Sequence, residues 1–271
     1  ELAVVIVSYN TRDDLARTLH SLASAPPSLS HQVVVVDNGS KDGSLDMVRG
    51  TYPHVLAIDA GANLGFSKAN NIGIRATASD LVLLLNSDTE VPGGAIDALV
   101  RELRAHPEAG VAGPRLVDAQ GRPELSIGRM IGPINELRQK VTGALYDRGW
   151  GPVRRRVERS LATPREVDWV SGACLLVWRA DAEAVGLLDE RFFLYTEDVD
   201  FCASVRRRGR RVRFVPSVEV RHLRGRSRRA SPSAALAAYR RSHLAFYAKH
   251  HPHWHGLLRA YLRLRGQLRE G

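Results

Sequence analysis

Three acidic residues in the second half of the chain form an unusually dense group of ionisable side chains. Glu197, Asp198 and Asp200 lie within four residues of one another and follow Tyr195 and Thr196. Two carboxylates held close together raise the pKa of one of them, which would give a general base near neutral pH. Acidic residues are also common at helix N-termini, where the helix dipole favours them. The group is therefore either catalytic or a charged helix start.

A single carboxylate follows the most apolar run of the first half. Asp88 comes after Asn86 and Ser87, directly beyond the run at 81–85. One such carboxylate can hold a hard divalent cation, with water and substrate phosphates completing the coordination shell. The alternative is an Asx turn or a helix cap. His222 is a second candidate metal ligand, although a lone histidine is more often a surface or core residue.

The elements that must position these side chains follow from the hydrophobic pattern. Strands are predicted at 3–7, 33–36, 55–59 and 80–85, and helices at 15–22, 44–49, 66–76 and 94–105. Strands that alternate with helices in this way favour an α/β fold, with a parallel sheet covered on both faces. Ligands of such sheets bind beyond the carboxyl ends of the strands. Polar or glycine residues follow all four predicted strands, so we expect a ligand site at this edge.

The charge is distributed unevenly along the 271 residues. Residues 1–150 carry 14 basic and 17 acidic side chains, whereas residues 151–271 carry 25 and 12. Such a basic half indicates an anionic partner or a solvated basic surface. Two cysteines are too few for a disulfide framework, and neither a signal peptide nor a membrane-spanning run is visible. The sequence therefore predicts a cytoplasmic protein.

Six motifs follow one another along the chain: Val-Ser-Tyr-Asn (7–10), Val-Asp-Asn-Gly-Ser-Lys-Asp-Gly (36–43), Asn-Leu-Gly-Phe-Ser-Lys-Ala-Asn-Asn (63–71), Leu-Asn-Ser-Asp-Thr (85–89), Ser-Gly-Ala (171–173) and Tyr-Thr-Glu-Asp-Val-Asp-Phe (195–201). In this order they resemble family 2 glycosyltransferases, with bacterial rhamnosyltransferase-like enzymes as the closest branch. The match extends over about residues 3–250. Each motif alone is weak, but six in the same order and spacing are specific.

The resemblance implies the GT-A fold and an inverting transfer of a sugar from a dTDP-, UDP- or GDP-linked donor to a glycan or lipid-linked hydroxyl. It divides the chain into a nucleotide-sugar-binding half (1–117), an acceptor-binding and catalytic half (118–233) and C-terminal basic amphipathic helices (234–271). Within the second region, residues 118–165 have little pattern, and we expect a mobile connection or lid there. The alternative is a sugar-nucleotide-binding module or a nucleotidyltransferase of the same fold.

The roles of individual residues are also implied by this resemblance, position by position. Asp198 is the expected catalytic base, with Glu197 beside it, and Asp88 and His222 are the expected ligands of Mg²⁺ or Mn²⁺. The expected nucleotide-sugar contacts are Ser8, Tyr9, Asn10, Asp37, Asn63, Gly65, Lys68, Asn71, Asn86 and Ser87. The expected acceptor contacts are Ser171, Gly172 and Asp200. Family members often have two or three acids in the metal motif, whereas this chain has one.

The C-terminal region is predicted to hold helices at 234–249 and 257–268. In the second helix, leucines and a tyrosine alternate with arginines, as in helices that lie on an anionic membrane. We therefore expect peripheral contact with the inner face of the cell membrane, where lipid-linked acceptors would lie. A packing helix or a homodimer contact would give the same pattern. The four histidines between 250 and 255 are expected in a solvated loop.

Other functions fit the sequence less well. A dinucleotide-dependent dehydrogenase requires Gly-x-Gly-x-x-Gly after the first strand, and this motif is absent. Nucleic-acid binding would suit the basic tail but would leave the acidic and polar strand ends unexplained, so no nucleic-acid partner is expected.

Overall fold

The computed structural model describes residues 1–124, 126–223 and 232–267. The strands are β1 (Leu2–Ser8), β2 (His31–Asp37), β3 (Leu56–Asp59), β4 (Leu81–Asn86), β5 (Thr89–Glu90), β6 (Ala109–Val117), β7 (Ile127–Gly128), β8 (Arg165–Val167), β9 (Trp169–Val170), β10 (Cys174–Trp178) and β11 (Arg211–His222). The helices are α1 (Arg12–Ser24), α2 (Ser44–Thr51), α3 (Phe66–Arg75), α4 (Ala95–Ala105), α5 (Pro133–Asp147), α6 (Gly151–Ala162), α7 (Arg179–Ala184), α8 (Glu197–Arg207), α9 (Pro232–His250) and α10 (Pro252–Leu264).

One large, mostly parallel sheet organises the molecule. Its strand order is β3-β2-β1-β4-β10-β6-β11-β5, and β8 pairs with β11. The first four strands in this order are parallel to one another, and β6 and β11 also run parallel. β10 is antiparallel to both β4 and β6. β10 belongs to the predicted acceptor half yet lies between two strands of the predicted nucleotide half, so both halves share one sheet.

The sheet is buried on both faces, as its continuous apolar strands predict. On one face Val4 and Ile6 of β1 pack with Leu15 and Leu19 of α1. On the other face alternate side chains of β1 and β4 pack with α3 and with α8, where Phe201 is fully buried. Because side chains alternate along each strand, every strand provides apolar residues that pack against both helical layers.

The structure differs from the sequence-based prediction in two regions. The weakly patterned stretch 118–165, where a mobile connection or lid is expected, contains α5 and α6 as well as short strands. No side chain of α6 is fully buried, and its apolar residues at helical spacing, Val153, Val157 and Leu161, are half-buried. The histidines of 250–255 do not form a solvated loop: His250 ends α9, and His253 and His255 lie in α10. No described helix is long and apolar enough to span a membrane.

Close contact between α3 and β1 generates a first prediction. A Cβ added at Gly73 would overlap Cγ1 of Val5 and lie 3.2 Å from Cγ2 of Val36. We expect Gly73→Ala to lower the free energy of unfolding by about 1–3 kcal/mol, because overpacking forces backbone shifts. Gly143→Ala is the matched control: Gly143 also lies within a helix, α5, but nothing lies within 4 Å of an added Cβ there. The control should raise stability by about 0.5–1 kcal/mol. Urea denaturation measures both, and a shift in the same direction would contradict the packing argument.

Candidate active site

The predicted site residues of β1, β2 and β4 lie at one edge of the sheet. Ser8, the last residue of β1, pairs in register with Asp37, the last residue of β2, and Asn86 ends β4 on the other side of β1. β10 begins at this same edge, and β11 ends there with His222 opposite Thr89. The strand register therefore brings residues that are far apart in sequence to a common edge.

Asp37 has one carboxylate oxygen free for a ligand. Its Oδ1 accepts a hydrogen bond from the Ser40 backbone N–H at 2.8 Å, whereas its buried Oδ2 has no partner among the described residues. A buried acceptor without a donor costs free energy, which a ligand hydroxyl or imide N–H would recover. Asp37 is thus well suited to bind the ribose or base of a nucleotide.

Hydrogen bonds from Asn38 hold the loop after β3 against the loop after β2. The Asn38 side chain donates to Oδ1 of Asn63 at 3.0 Å and accepts from the Leu64 N–H at 2.9 Å. Oδ1 of Asn63 also accepts from the Gly65 N–H at 3.1 Å. Asn63 thus lies against the loop after β2, at Asn38, which follows Asp37 in the chain. Asn38 itself was not predicted as a site residue, although it lies in the Asp-Asn-Gly-Ser motif.

The residues after β1 have different environments. Ser8 is buried and its hydroxyl contacts Thr11, whose hydroxyl contacts Ser87, both at 2.9 Å. Tyr9 is exposed, and Asn10 has a left-handed backbone with φ of 53°. Only Tyr9 presents an uncommitted side chain to solvent; the serines contribute to a hydrogen-bonded floor.

The start of α3 contacts the segment that precedes α8. Gly65 has φ of +85°, and an added Cβ would lie 2.6 Å from the Phe193 carbonyl oxygen. That carbonyl accepts the Phe66 N–H at 2.7 Å. Lys68 is exposed nearby. Backbone geometry therefore requires glycine at position 65, whether or not this residue contacts the donor.

The Asn71 side chain binds Leu188 and Glu190, so it is not free to bind a ligand. Its amide donates to the Leu188 carbonyl at 2.8 Å and to the Glu190 carboxylate at 3.0 Å, and it accepts from the Leu188 N–H at 3.1 Å. Asn71 is buried, so it positions the segment before α8 through these bonds.

Asp88 and His222 meet at the expected metal position, together with a residue that the sequence did not indicate. Nε2 of His222 lies 3.2 Å from Oδ1 of Asp88 and 3.3 Å from the Asn86 amide nitrogen, and Nδ1 lies 3.0 Å from Oε2 of Glu124. Burial alone would lower the pKa of His222, but hydrogen bonds to Asp88 and Glu124 raise it to about 9. Glu124 lies in a stretch with no motif, 98 residues before His222.

The donor chemistry of Asp88 and His222 suits a divalent cation. Their nearest atoms are 3.2 Å apart, close to the separation of two adjacent ligands that each lie about 2.2 Å from one cation. Among the described residues no group of three or more His, Cys, Asp or Glu side chains is arranged to hold a metal. Two protein ligands therefore fit a cation whose remaining ligands are substrate phosphates and water.

Asp198 begins α8 with a carboxylate held by two backbone N–H groups. Oδ2 accepts from Gly172 at 2.9 Å and Oδ1 accepts from Val199 at 2.8 Å. Burial raises the pKa of Asp198 above its usual value, although these two hydrogen bonds lower it in part. The adjoining Tyr195 and Thr196 both have left-handed backbones, with φ of 69° and 72°. Such strain is often found at functional sites, and here it sets the direction in which α8 begins.

Glu197 is the buried neighbour of Asp198. It is 6% exposed, and its Oε2 has no partner among the described residues. Burial, together with the nearby Asp198 carboxylate, raises the pKa of Glu197 well above its usual range. Both carboxyl groups therefore have raised pKa values, and both bind a proton more readily than an exposed acid does.

A short run of backbone connects the two carboxylate positions. Gly172 donates to Asp198, and the next residue, Ala173, accepts the Asn86 N–H at 3.0 Å. Asn86 contacts His222, which in turn contacts Asp88. Asp88 and Asp198 therefore lie at the same sheet edge, separated by the turn formed by Ser171 and Gly172.

Asp200 does not make the acceptor contact that the sequence suggested. It is 1% exposed, and its two carboxylate oxygens contact Lys249 at 2.8 Å and His250 at 2.6 Å. Lys249 also contacts Asp189 at 2.8 Å. Asp200 lies one helical half-turn from Asp198 and therefore faces α9 instead of the sheet edge.

The fold and the site together define a GT-A-like α/β transferase. Residues 3–185 match the model of glycosyl transferase family 2. The chain is 36% identical to the N-acetylglucosaminyl-diphospho-decaprenol L-rhamnosyltransferase of Mycobacterium tuberculosis, over 98% of this chain and 90% of that protein. It is 26% identical to the dTDP-rhamnosyl transferase RfbF of Shigella flexneri, over 82% of this chain and 68% of that protein. The mannosyltransferase PcManGT of Pyrobaculum calidifontis, solved with GDP-Man and Mn²⁺, superposes with a TM-score of 0.64 at 18% identity, covering 96% of this chain and 68% of that one.

The chain belongs to glycosyl transferase family 2, and it is a glycosyltransferase. The family, the fold and the class of enzyme that the sequence motifs predicted are thus confirmed.

The raised pKa of Glu197 yields a prediction that can be tested without substrate. The folded-state pKa of Glu197 lies above its usual value near 4.5, so its contribution to stability is present below that pH and is lost as the pH rises through the folded-state pKa. Glu197→Gln, which cannot ionise, should therefore gain stability relative to the unmodified protein as the pH is raised from about 5 to about 8. Urea denaturation at several pH values measures the difference. Glu183→Gln, at an exposed position, is the control, and a pH-independent difference for Glu197→Gln would contradict the prediction.

Proposed function

We propose that this glycosyltransferase transfers rhamnose, with inversion, from a nucleoside diphosphate to a hydroxyl group of a lipid-linked glycan. The observation that carries the proposal is the position of Asp198, a carboxylate of raised pKa held at the same sheet edge as Asp37 and Asp88. This arrangement provides a base, a nucleotide contact and a phosphate-side group in one place. A catalytically silent sugar-nucleotide-binding module is the alternative.

Asp198 is the general base of the proposed reaction. Its carboxylate takes the proton of the acceptor hydroxyl as the oxygen attacks the anomeric carbon, and the bond from that carbon to the diphosphate breaks with its electron pair on the leaving oxygen. A direct displacement of this kind inverts the anomeric carbon and needs one base. Burial and the Asp198 carboxylate raise the pKa of Glu197 beside it, which favours its protonated form and so limits the negative charge near the attacking oxygen.

Asp88 and His222 would hold Mg²⁺ or Mn²⁺ beside the diphosphate of the donor. A divalent cation stabilises the negative charge that develops on the leaving group. Asn86 contacts His222 and Glu124 accepts from its other ring nitrogen, so both fix the orientation of the imidazole. Asp37, Asn63 and Tyr9 would bind the nucleoside, and Lys68 would lie beside the donor.

The relatives support the choice of sugar and acceptor. The Shigella relative is named for a dTDP-rhamnosyl donor, and the mycobacterial relative is named for N-acetylglucosaminyl-diphospho-decaprenol and L-rhamnose. We infer a dTDP-linked donor ahead of UDP- or GDP-linked ones, and an acceptor anchored in the cytoplasmic face of the membrane. The basic helix α10 is the proposed membrane contact, and a homodimer through it remains the alternative.

Replacement of the base separates catalysis from binding. Asp198→Asn should lower kcat by about 10²–10⁴-fold, because general base catalysis contributes a factor of that size. Donor affinity should be unchanged, since Asp198 acts on the acceptor. Turnover assays and calorimetric titration with the donor measure the two quantities. An unchanged activity would favour a transfer mechanism without Asp198, and the absence of transfer by the unmodified protein would favour the binding module.

Replacement of Asp88 should instead weaken the binding of the nucleotide with Mn²⁺. We expect dTDP with Mn²⁺ to stabilise the unmodified protein by about 2.7 kcal/mol at a hundredfold excess over the dissociation constant. Asp88→Asn should abolish the Mn²⁺-dependent part of this stabilisation, whereas Asp198→Asn should retain it. Thermal unfolding with dTDP, UDP and GDP, each with and without Mn²⁺, makes the comparison. Equal stabilisation with and without Mn²⁺ would contradict the proposed metal site.

A further inference from the structure

Helix α10 has a row of large apolar side chains that nothing in the described structure covers. Trp254, Leu257, Tyr261 and Leu264 are all exposed, Leu257 by 62% and Leu264 by 89%. At 100° per residue these four positions fall within about 80° of the helix circumference. The buried positions of α10 are few, with Leu262 the fully enclosed one. Of the six large apolar side chains of α10, four are therefore exposed, and only Leu258 and Leu262 are partly or fully buried.

Helix α5, which the sequence analysis missed, has a second exposed apolar row. Ile134, Leu137 and Val141 are 68%, 64% and 51% exposed. Their spacing of three and four residues places them on one side of the helix, within about 60°. Exposed leucines that occur singly need no explanation, but two such rows on neighbouring helices mark an interaction surface.

Contacts with α9 place the two helices on the same part of the molecule. Nε2 of His251, just before α10, contacts the Ile131 carbonyl just before α5 at 2.7 Å. Further along, Glu136 of α5 contacts His243 of α9 at 3.0 Å. At the other end of α10, Arg240 of α9 donates to the Gln267 carbonyl at 2.9 Å. Both helices thus start near the C-terminal part of α9; α10 packs along α9, whereas α5 contacts it through Glu136 in its first turn.

The charge of this region selects the partner. Residues 251–267 contain no Asp or Glu but carry Arg259, Arg263 and Arg265. On α5, Arg138 and Lys140 are exposed, whereas Glu136 turns inward and accepts hydrogen bonds from α9. An apolar row flanked by cations is characteristic of helices that lie in the headgroup region of anionic bilayers. Two copies of the chain facing each other here would instead bring like charges together.

We propose that the exposed rows of α5 and α10 form one docking face for an anionic bilayer. The docking face consists of Ile134, Leu137 and Val141 of α5 and Trp254, Leu257, Tyr261 and Leu264 of α10. The inference extends the proposed function, since a lipid-linked acceptor is what gives a membrane-docked enzyme its substrate. It adds a second helix, so α10 alone does not account for docking.

The docking face is connected to the catalytic segment through α9. Ser242 of α9 donates to the Leu194 carbonyl at 2.8 Å, and the rings of Tyr239 and Tyr195 lie edge to face with centroids 6.3 Å apart. Leu194 and Tyr195 directly precede the left-handed residue Thr196 and the base Asp198. A bilayer bound to the docking face would therefore lie next to the helical layer that supports the acceptor side of the site.

Vesicle binding by the full chain tests the proposal. Vesicles of equal parts phosphatidylglycerol and phosphatidylcholine should bind the unmodified protein, and phosphatidylcholine vesicles should bind it much more weakly. Leu257→Glu with Leu264→Glu should lower the partition coefficient at least about tenfold, and so should Ile134→Glu with Leu137→Glu, because each pair removes buried methylenes and adds negative charge. Arg259→Gln should lower it roughly fivefold and reduce its salt dependence. Co-sedimentation measures all of these.

Two controls make the outcomes decisive. Leu56→Glu, at an exposed leucine of the edge strand β3, should leave vesicle binding unchanged. Solution mass is the second control: a dimer that the α5 and α10 substitutions convert to monomer would show that a second copy occupies the surface, and would overturn the proposal. Unchanged binding by the α5 pair, or no binding by the unmodified protein, would also overturn the two-helix proposal.

Transfer to a water-soluble, short-chain acceptor separates this inference from the proposed function. The α5 and α10 variants should keep that activity, because none of the substituted residues lies at the catalytic sheet edge. If the unmodified protein binds anionic vesicles but transfers no rhamnose, the donor and acceptor assignment fails while the docking face stands. If transfer proceeds but vesicles do not bind, the docking face fails alone.

Discussion

The turn between β9 and β10 is the constraint on which the site depends. Gly172 binds the proposed base through its backbone N–H, and Ala173 binds the end of β4 through its carbonyl. These two adjacent residues therefore set the separation between Asp198, on the proposed acceptor side of the site, and Asp88, on the proposed phosphate side. A side chain at Gly172 would place its Cβ 3.3 Å from the Cβ of Asp198, which is close enough to displace the carboxylate. The antiparallel insertion of β10 between β4 and β6 is what brings this turn to an edge otherwise built from parallel strands.

The two halves of the site treat negative charge in opposite ways. On the phosphate side, burial lowers the pKa of His222, but hydrogen bonds to Asp88 and Glu124 raise it to about 9. On the acceptor side no basic side chain contacts Asp198 or Glu197 in the described part of the chain, and burial raises the pKa of both. A divalent cation can thus replace a proton on one side while the other side retains the capacity to accept one. This separation suits the proposed displacement at the anomeric carbon, in which the diphosphate leaves as an anion from one face and the acceptor oxygen attacks the opposite face as it loses its proton.

The sequence predicted the parts of the fold and site that depend on local pattern. β1, β2 and β4 contain continuous apolar runs that are buried, and the residues that follow these runs are turn formers, so the three strands and their polar ends could be predicted. The helix at Glu197 and the pairing of Glu197 with Asp198 could also be predicted, because adjacent acids need no long-range information. α5 and α6 were not predicted, although apolar residues recur at helical spacing in both (Ile134, Leu137 and Val141; Val153, Val157 and Leu161), because frequent Gly, Pro and Arg residues obscured the pattern. Glu124 was missed because its partner, His222, lies 98 residues away and no sequence motif joins the two residues.

Asp200 shows why a motif does not assign a role to each of its residues. It is separated from Asp198 by one residue, and both could face a ligand if the segment were irregular. Because the segment begins a helix, successive residues are rotated by about 100°, and only one of the two can face the sheet edge. Asp200 instead faces Lys249 and His250, which gives the base-bearing helix a fixed attachment to α9. The same α9 packs against α10 and hydrogen-bonds Glu136 of α5, so the position of the proposed base depends on the helical layer that carries the proposed docking face. A membrane that orders this layer would therefore act on the acceptor side of the site through packed side chains, without contacting the donor.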